Sequence, residues 1–253
     1  MSKRVVRNFF AKGYLSIQRT CYYGKKYKCP CCNKNFREFL NFNYKRSIYN
    51  EEIYIKTYKS TICPYCLSLP RHRIICEYLN QNQQFLKNKK ILLFAPERGL
   101  KDYLTRNKIS FVTADLYKEA DFKIDITKIN FKDSSFDIIF CNHVLEHVND
   151  YKKALKEVNR ILTSNGTLIC SMPIDRNSKN TVERELKTDE ERRMFYGQSD
   201  HYRNFGLDIN KEIEKCGFFV NEINGDDFDE KIVPVIGPSK YDYNHIFICK
   251  KNI

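Results

Sequence analysis

The 253 residues suffice for one large core, or for one core and a small module, and the formal net charge of +13 shows an excess of basic residues. No apolar run approaches the ~20 residues that cross a bilayer, which excludes a spanning helix and, with no signal-like run at the start, predicts a cytoplasmic protein. In that setting the 11 cysteines read as thiols or metal ligands, not as a disulfide framework.

Residues 1–90 hold 19 Lys and Arg against 4 Asp and Glu, a charge of +15, whereas residues 91–253 hold 25 against 27, or −2. A basic module ahead of a near-neutral domain can attract nucleic acid, anionic lipid or a phosphorylated donor. A Lys- and Asn-rich coding bias is the plain alternative. Within residues 1–20, Phe9, Phe10, Tyr14 and Ile17 fall on one face of a short amphipathic helix suited to docking.

Cys29-Pro30-Cys31-Cys32 and Cys63-Pro64-Tyr65-Cys66 each contain a C-x-x-C pair, Cys29 with Cys32 and Cys63 with Cys66. Two intervening residues let both thiolates of a tight knuckle point at one ion, and two knuckles supply the four sulfurs of a structural zinc site. Cys31 reads as a bystander. The interval between the knuckles is rich in aromatic and β-branched residues from Phe36 to Tyr58, enough for a small β-rich core. A closed four-sulfur site has no open position, so zinc there holds structure and does not catalyse.

Arg71-His72-Arg73 opens a helix with Ile74, Ile75, Tyr78 and Leu79 on its apolar side. The run reads either as an anion contact near a ligand or as a solvated basic turn packing the zinc module against a sheet, with the second slightly preferred. Polar residues 80–90 mark a junction, dividing the chain into a basic segment with zinc ribbon over 1–80 and a second domain over 81–253.

Beyond the junction, strand-like and helix-like segments alternate. Ile91 to Ala95, Phe111 to Asp115, Phe136 to Cys141 and Thr167 to Met172 are short apolar runs closed by turn signals, as buried parallel strands are. Asn149-Asp150 offers an N-cap for a helix from Tyr151 to Leu162, whose Tyr151, Ala154, Leu155, Val158, Ile161 and Leu162 share one face. Gly217 to Ile223 and His245 to Cys249 read as two late strands that can pair as an antiparallel edge. Residues 174–200 read as an insertion or lid, and Asp226 to Glu230 as a solvated acidic loop. The pattern predicts an α/β fold whose ligand lies beyond the carboxyl ends of the strands, where Glu97, Asp115, Asp125 and Asn142 collect.

Asp115 ends the second strand 18 positions after Glu97, the place of a carboxylate that accepts both hydroxyls of a ribose. Asp125 is placed to accept from an adenine amino group, with Ile124 or Ile126 against the ring. The first loop has one glycine and an acidic Glu97, a poor phosphate cradle that disfavours a dinucleotide. Glu97 instead suits a ligand with positive charge, such as a sulfonium and an α-ammonium.

Leu92-Leu93-Phe94-Ala95-Pro96-Glu97, Asp125-Ile126-Thr127, Phe136-Asp137-Ile138-Ile139 and Asn142-His143-Val144-Leu145-Glu146-His147-Val148 together resemble class I S-adenosylmethionine-dependent methyltransferases of type 11. More narrowly, the stretch from Cys63 to Arg73, Glu191-Arg192 and the segment Tyr196 to Gly206 resemble a bacterial group. That group joins an N-terminal C-x-x-C/C-P-x-C zinc ribbon to a methyltransferase domain and a G-Q-x-D-H-x-R segment. The likeness covers roughly residues 27–224 and departs from the group at Pro70 and Phe205. It implies a Rossmann-like sheet of order 3-2-1-4-5-7-6 with the last-numbered strand antiparallel. It also implies an S-adenosylmethionine site at Ala95, Glu97, Gly99, Asp115, Asp125 and Asn142, with Pro96, Leu116, Ile126 and His143 beside them. His201 is the candidate base for an acceptor hydroxyl or amine, with Asp200 or Arg203 orienting the substrate; a structural turn pairing Asp200-His201 with Arg71-His72-Arg73 is the alternative. His147 reads as a satisfied helix-face residue. The expected acceptor is a sugar-derived, glycan-related or other small metabolite. RNA clamped by the basic module and a non-catalytic zinc-binding interaction protein are the other readings.

Overall fold

The structure, a computed structural model, describes residues 21–48, 51–232, 241–242 and 244–252. The helix expected within residues 1–20 lies outside them. Strand β1 (Tyr23–Cys29) pairs antiparallel with β2 (Lys34–Phe36), and β3 (Leu40–Ile48) with β4 (Glu51–Ile62). Both cysteine knuckles close the same way. Asn33, left-handed at φ 55°, donates its N–H to Cys29 O at 2.7 Å, and Leu67, at φ 59°, donates to Cys63 O at 3.0 Å. The helix after the second knuckle, α1 (Pro70–Gln81), begins with proline where the missing N–H costs nothing.

The α/β part runs in order: β5 (Ile91–Phe94), α2 (Arg98–Arg106), β6 (Val112–Asp115), β7 (Phe122–Lys123) and β8 (Phe136–Asn142). Next come α3 (Tyr151–Ile161), β9 (Leu162–Ser171), β10 (Ile174–Asp175) and β11 (Val182–Glu183). The remainder is α4 (Asp189–Tyr196), β12 (Arg203–Asn204), α5 (Ile209–Glu214), β13 (Phe218–Asn224), β14 (Tyr241–Asp242) and β15 (His245–Lys251). The signals that start the helices are those in the sequence. Asp150 Oδ1 accepts from Lys153 N at 2.9 Å at the start of α3. Thr188 and Glu191 form a capping box on α4, whose end is set by left-handed Gly197.

Seven strands make the central sheet in the order β13-β15-β9-β8-β5-β6-β7. Counted from β5, this is the order 3-2-1-4-5-7-6 that the resemblance implies. Strands β7, β6, β5, β8 and β9 run parallel, and β15 is antiparallel to both neighbours. The two late strands therefore pair as expected, but only β13 is the edge; β15 is inserted between it and β9.

Successive residues of the sheet feed opposite layers, the period-2 consequence of the pleat. Leu92, Phe94, Ile139, Cys141, Leu168 and Cys170 pack with Leu155, Val158 and Ile161 of α3 and with Ile213 of α5. Ile91, Leu93, Ile138, Phe140, Ile169 and Ile248 pack on the other side with α1, α2 and the cysteine ribbon, including Phe36 and Phe39. Each fully buried Leu, Ile or Phe here contributes about 1.5–3 kcal/mol from area alone. The ribbon is thus part of the sheet's second layer, and packing is continuous across the boundary expected at residue 80. The 174–200 insertion carries α4 and β11, and β11 pairs antiparallel with β12.

Candidate cofactor and acceptor site

Two strands leave the sheet by the same device. Ala95 after β5 and His143 after β8 are left-handed, at φ 45° and 51°, and their N–H groups donate to the neighbouring strands at Ala114 O (2.9 Å) and Ser171 O (2.8 Å). Non-glycine residues held there store local strain, which gathers where ligands bind. Between these breaks lie the expected ligand residues. Asp115 ends β6 buried, and its Oδ1 accepts from Tyr117 N and Lys118 N at 2.8 and 2.7 Å. Its Oδ2 makes no hydrogen bond among the described residues. Ile124 N donates to Asp115 O at 3.2 Å, which brings the next ligand loop alongside. On that loop Asp125 is exposed, with Oδ1 accepting from Thr127 N and Oγ1, both at 2.8 Å. Ile124 and Ile126, expected against an adenine ring, are buried in the sheet's core. Asn142 ends β8 buried, with Oδ1 accepting from Ser171 Oγ at 3.1 Å, so its amide N–H groups are available. Pro96 and Leu116 are half-buried on the flanking turns.

Glu97 departs from its expected use. The carboxylate expected to face a cationic ligand is paired within the protein, to Arg71 and to His72, whose Nε2 lies 2.6 Å from Oε2. Burial would raise the Glu97 pKa, but His72 and Arg71 outweigh it and hold the group well below the usual carboxylate range. His72 Nδ1 accepts from Leu69 N at 2.9 Å, so the neutral ring carries its proton on Nε2, toward Glu97. Nor is the Arg71-His72-Arg73 run solvated. Arg73 is fully buried, donating from Nη1 to Thr61 O and Ser68 O, each at 2.9 Å, with its guanidinium 4.5 Å from the Phe39 ring. Gly99, on the first turn of α2, is where this module presses closest: a Cβ there would stand 3.0 Å from Ser68 Cβ and 3.3 Å from His72 Nδ1.

Arg73 also serves the cysteines. Cys29, Cys32, Cys63 and Cys66 place their sulfurs within 4.8 Å of one another, with Cys29–Cys66 at 3.7 Å and Cys32–Cys63 at 3.8 Å. A tetrahedron with Zn–S bonds of about 2.3 Å has edges of about 3.8 Å, so the quartet fits zinc. Four thiolates around Zn²⁺ would leave two negative charges, of which the buried Arg73 guanidinium would offset one. Cys31 is buried outside the quartet.

The turn after β8 and the segment before β12 meet. His201 is 5% exposed; burial pulls its pKa down to about 4, and Nε2 has no hydrogen-bond partner. Its ring packs edge to face on His147, with centroids 4.6 Å apart. Asp200 pairs with His147 Nδ1 at 3.1 Å and not with the zinc module, so the alternative pairing with Arg71-His72-Arg73 is not formed. His147, expected as a satisfied helix-face residue, lies half-buried on the short helix Leu145–His147 with Asp200 and His201 against it. Arg203 is buried and committed to Glu183 and to the carbonyls of Leu145, Val148 and Asn149. It also lies 4.6 Å from the Tyr151 ring. Its guanidinium fixes the 145–149 turn and leaves no face toward a substrate.

Sequence reasoning missed Glu146. It is 1% exposed, and its Oε1 pairs with His143 Nδ1 at 3.2 Å while Oε2 has no hydrogen-bond partner among the described residues. The signal was present in the spacing His143-x-x-Glu146-His147, which brings two imidazoles and a carboxylate onto one turn. The acidic 226–230 loop forms no metal-binding group among the described residues. No helix among them is long and apolar enough to cross a membrane.

Residues 102–170 match the family described as "Methyltransferase domain", a span that takes in β6, β8, α3 and most of β9. An uncharacterized protein of Methanocaldococcus jannaschii is 50% identical over 52 residues, 21% of this chain and 23% of the relative, so the chain spans under a quarter of that protein. Among solved structures the chain is similar to the Burkholderia thailandensis 1,6-didemethyltoxoflavin-N1-methyltransferase with bound 1,6-didemethyltoxoflavin and S-adenosylhomocysteine. That likeness has 13% identity and a TM-score of 0.49, covering 73% of this chain and 77% of that one. A Haemonchus contortus phosphoethanolamine N-methyltransferase, solved with phosphomonomethylethanolamine and S-adenosylhomocysteine, is 16% identical at a TM-score of 0.43, covering 68% and 53%. Neither overlap bears on what this chain acts on; the order of the sheet identifies the fold.

Proposed function

We propose that the chain is a methyltransferase that uses S-adenosylmethionine. The observation that carries this reading is the placement of Asp115 at the end of β6, Asp125 just past β7 and Asn142 at the end of β8, along the carboxyl edge of a sheet in the methyltransferase order. The donor set suits an adenosine: an open carboxylate oxygen for a ribose diol, an acidic loop for the adenine amino group, and a buried amide beside them. The match of residues 102–170 to a methyltransferase domain supports it. The cofactor, when bound, would supply an electrophilic methyl that an acceptor oxygen or nitrogen takes as the bond to sulfur breaks, with S-adenosylhomocysteine as leaving group and a proton lost from the acceptor. Direct displacement is governed by alignment, which falls to the walls of the cleft. The Cys29, Cys32, Cys63, Cys66 quartet holds structural zinc in this reading.

His201 is the residue assigned to the acceptor's proton, because its ring is neutral at pH 7 and its Nε2 is unpartnered. Asp200 acts behind it through His147, and Arg203 acts by holding the turn. A small metabolite, sugar-derived or related to glycans, is the acceptor we favour. The excess charge of residues 1–90 favours one competing acceptor, RNA, whose binding would weaken steeply with salt while a small-molecule site responds little.

Calorimetry of the purified chain with S-adenosylmethionine tests the reading. Saturable binding is expected, and absence of binding at high cofactor concentration would leave a non-catalytic zinc-binding protein. With the acceptor in hand, His201→Gln should lower turnover at least about tenfold at unchanged cofactor affinity; unchanged turnover removes His201 from the mechanism.

A further inference from the structure

Three side chains from the turn after β8 and the segment before β12 meet. Glu146, on the short turn Leu145–His147, offers a carboxylate; His147 follows it; His201 arrives from the segment before β12. One ligand atom from each lies within 4.8 Å of the other two. Glu146 is 1% and His201 5% exposed; Glu146 Oε1 faces His143 Nδ1 at 3.2 Å, whereas Glu146 Oε2 and His201 Nε2 have no hydrogen-bond partner among the described residues. A buried carboxylate with one oxygen left unmatched is costly, and native proteins resolve it with a donor, a water or a cation.

The surroundings are those of a prepared ligand set. Tyr202 N donates to Glu146 O at 2.9 Å, and Arg203 binds the carbonyls of Leu145, Val148 and Asn149. The two segments that carry the three side chains are therefore tied together by main-chain contacts independent of any ion. Asp200 Oδ2 stands 3.1 Å from His147 Nδ1, the carboxylate-behind-imidazole arrangement that orients metal-binding histidines.

We infer that Glu146, His147 and His201 bind one divalent transition-metal ion, separate from the cysteine quartet. Two imidazoles and one carboxylate select Zn²⁺, Fe²⁺ or Co²⁺ over Mg²⁺ and Ca²⁺, which take oxygen ligands. Three protein ligands leave coordination positions open, unlike the closed four-sulfur site. The assignment stands on these contacts and holds whether or not the chain transfers methyl groups. Metal on His201 Nε2 and direct proton transfer to that nitrogen exclude each other, so the metal content of the active protein decides which of the two operates.

The test uses the full chain dialysed against Co²⁺ under reducing conditions, then analysed for total transition metal per chain and by visible absorption. Two equivalents are expected, one held by thiolates and one showing only the weak bands of nitrogen and oxygen ligation. His201→Asn and, separately, His147→Asn should each bring the total to one while keeping the thiolate-held ion. The half-buried His147 is the substitution more easily folded, and the retained thiolate ion with an unchanged circular dichroism spectrum shows that it is folded. A wild-type chain that holds only the thiolate equivalent, or folded variants that keep both, would overturn the assignment.

Discussion

His72 Nε2 lies 2.6 Å from Glu97 Oε2, joining the helix after the second cysteine knuckle to the turn after the first strand of the sheet. Through this contact and the parallel one from Arg71, the helix of the cysteine ribbon supports the loop after β5, which opens the proposed cofactor row. Replacing Glu97 with Gln keeps the shape and removes the charge. The expected loss is on the order of 2 kcal/mol, less than the ~3–5 kcal/mol of a fully buried pair because Glu97 is partly exposed. Urea unfolding at pH 7 measures it.

The same pair fixes a pH dependence. Glu97 is held below its unfolded value of about 4.3, so its contribution is complete above that pH and lost as the solution becomes more acid. Burial lowers the His72 pKa below its unfolded value of about 6.5, so its contribution is likewise complete above that value and lost as pH falls below it. Stability should therefore decline from about pH 6.5 downward and more steeply below about 4.3. In Glu97→Gln the lower part of that decline should flatten; an unaltered profile would show that the pairing is not made in solution.

Arg203→Lys tests the role of the buried guanidinium. A lysine keeps the charge but cannot reach Glu183 and three carbonyls at once with a planar fork. A loss of about 2–4 kcal/mol is expected in chemical denaturation. In the chain that folds, cofactor affinity should fall less than turnover, because the proposed site puts the 145–149 turn on its acceptor side.

Removing zinc should destabilise the whole chain. Phe36, Phe39 and the cysteines share a core with Ile91, Leu93, Ile138 and Phe140 of the sheet. Chelation, or Cys63→Ser, should lower a single thermal midpoint by about 10 °C or more in calorimetry. A separate small transition with the main one unmoved would show that the ribbon folds on its own.

Asp115→Asn separates the turn from the ligand contact. Asparagine retains Oδ1 for the amides of Tyr117 and Lys118 but loses the second anionic acceptor. Affinity for S-adenosylmethionine should drop about 10- to 100-fold, the worth of one charge-assisted hydrogen bond, with stability nearly unchanged.

Local signals in the sequence were strong wherever one element decided the outcome. The α3 helix begins at its Asp150 cap, the strands end where the turns begin, and the cysteine spacing places four sulfurs around one centre. What stayed hidden depended on partners distant in sequence. Nothing near Glu97 says that Arg71 and His72, 26 and 25 residues earlier, will claim its carboxylate. Arg203 looked like a substrate contact because a lone arginine after a histidine carries no sign of the carbonyls it will meet. Ile124 and Ile126 alternate around Asp125 as a ring-stacking loop would, but the same alternation drives them into the core.

Strand β15 comes after every other strand in the sequence yet lies inside the sheet, between β9 and β13. A nascent chain halted at residue 244 would carry two open edges in place of the two ladders that β15 makes, with Leu168 and Cys170 lacking Cys249 and Phe247 as neighbours. Such a truncated polypeptide presents an unpaired template to other chains, so clipping this short tail should send the protein toward aggregation instead of shortening it harmlessly.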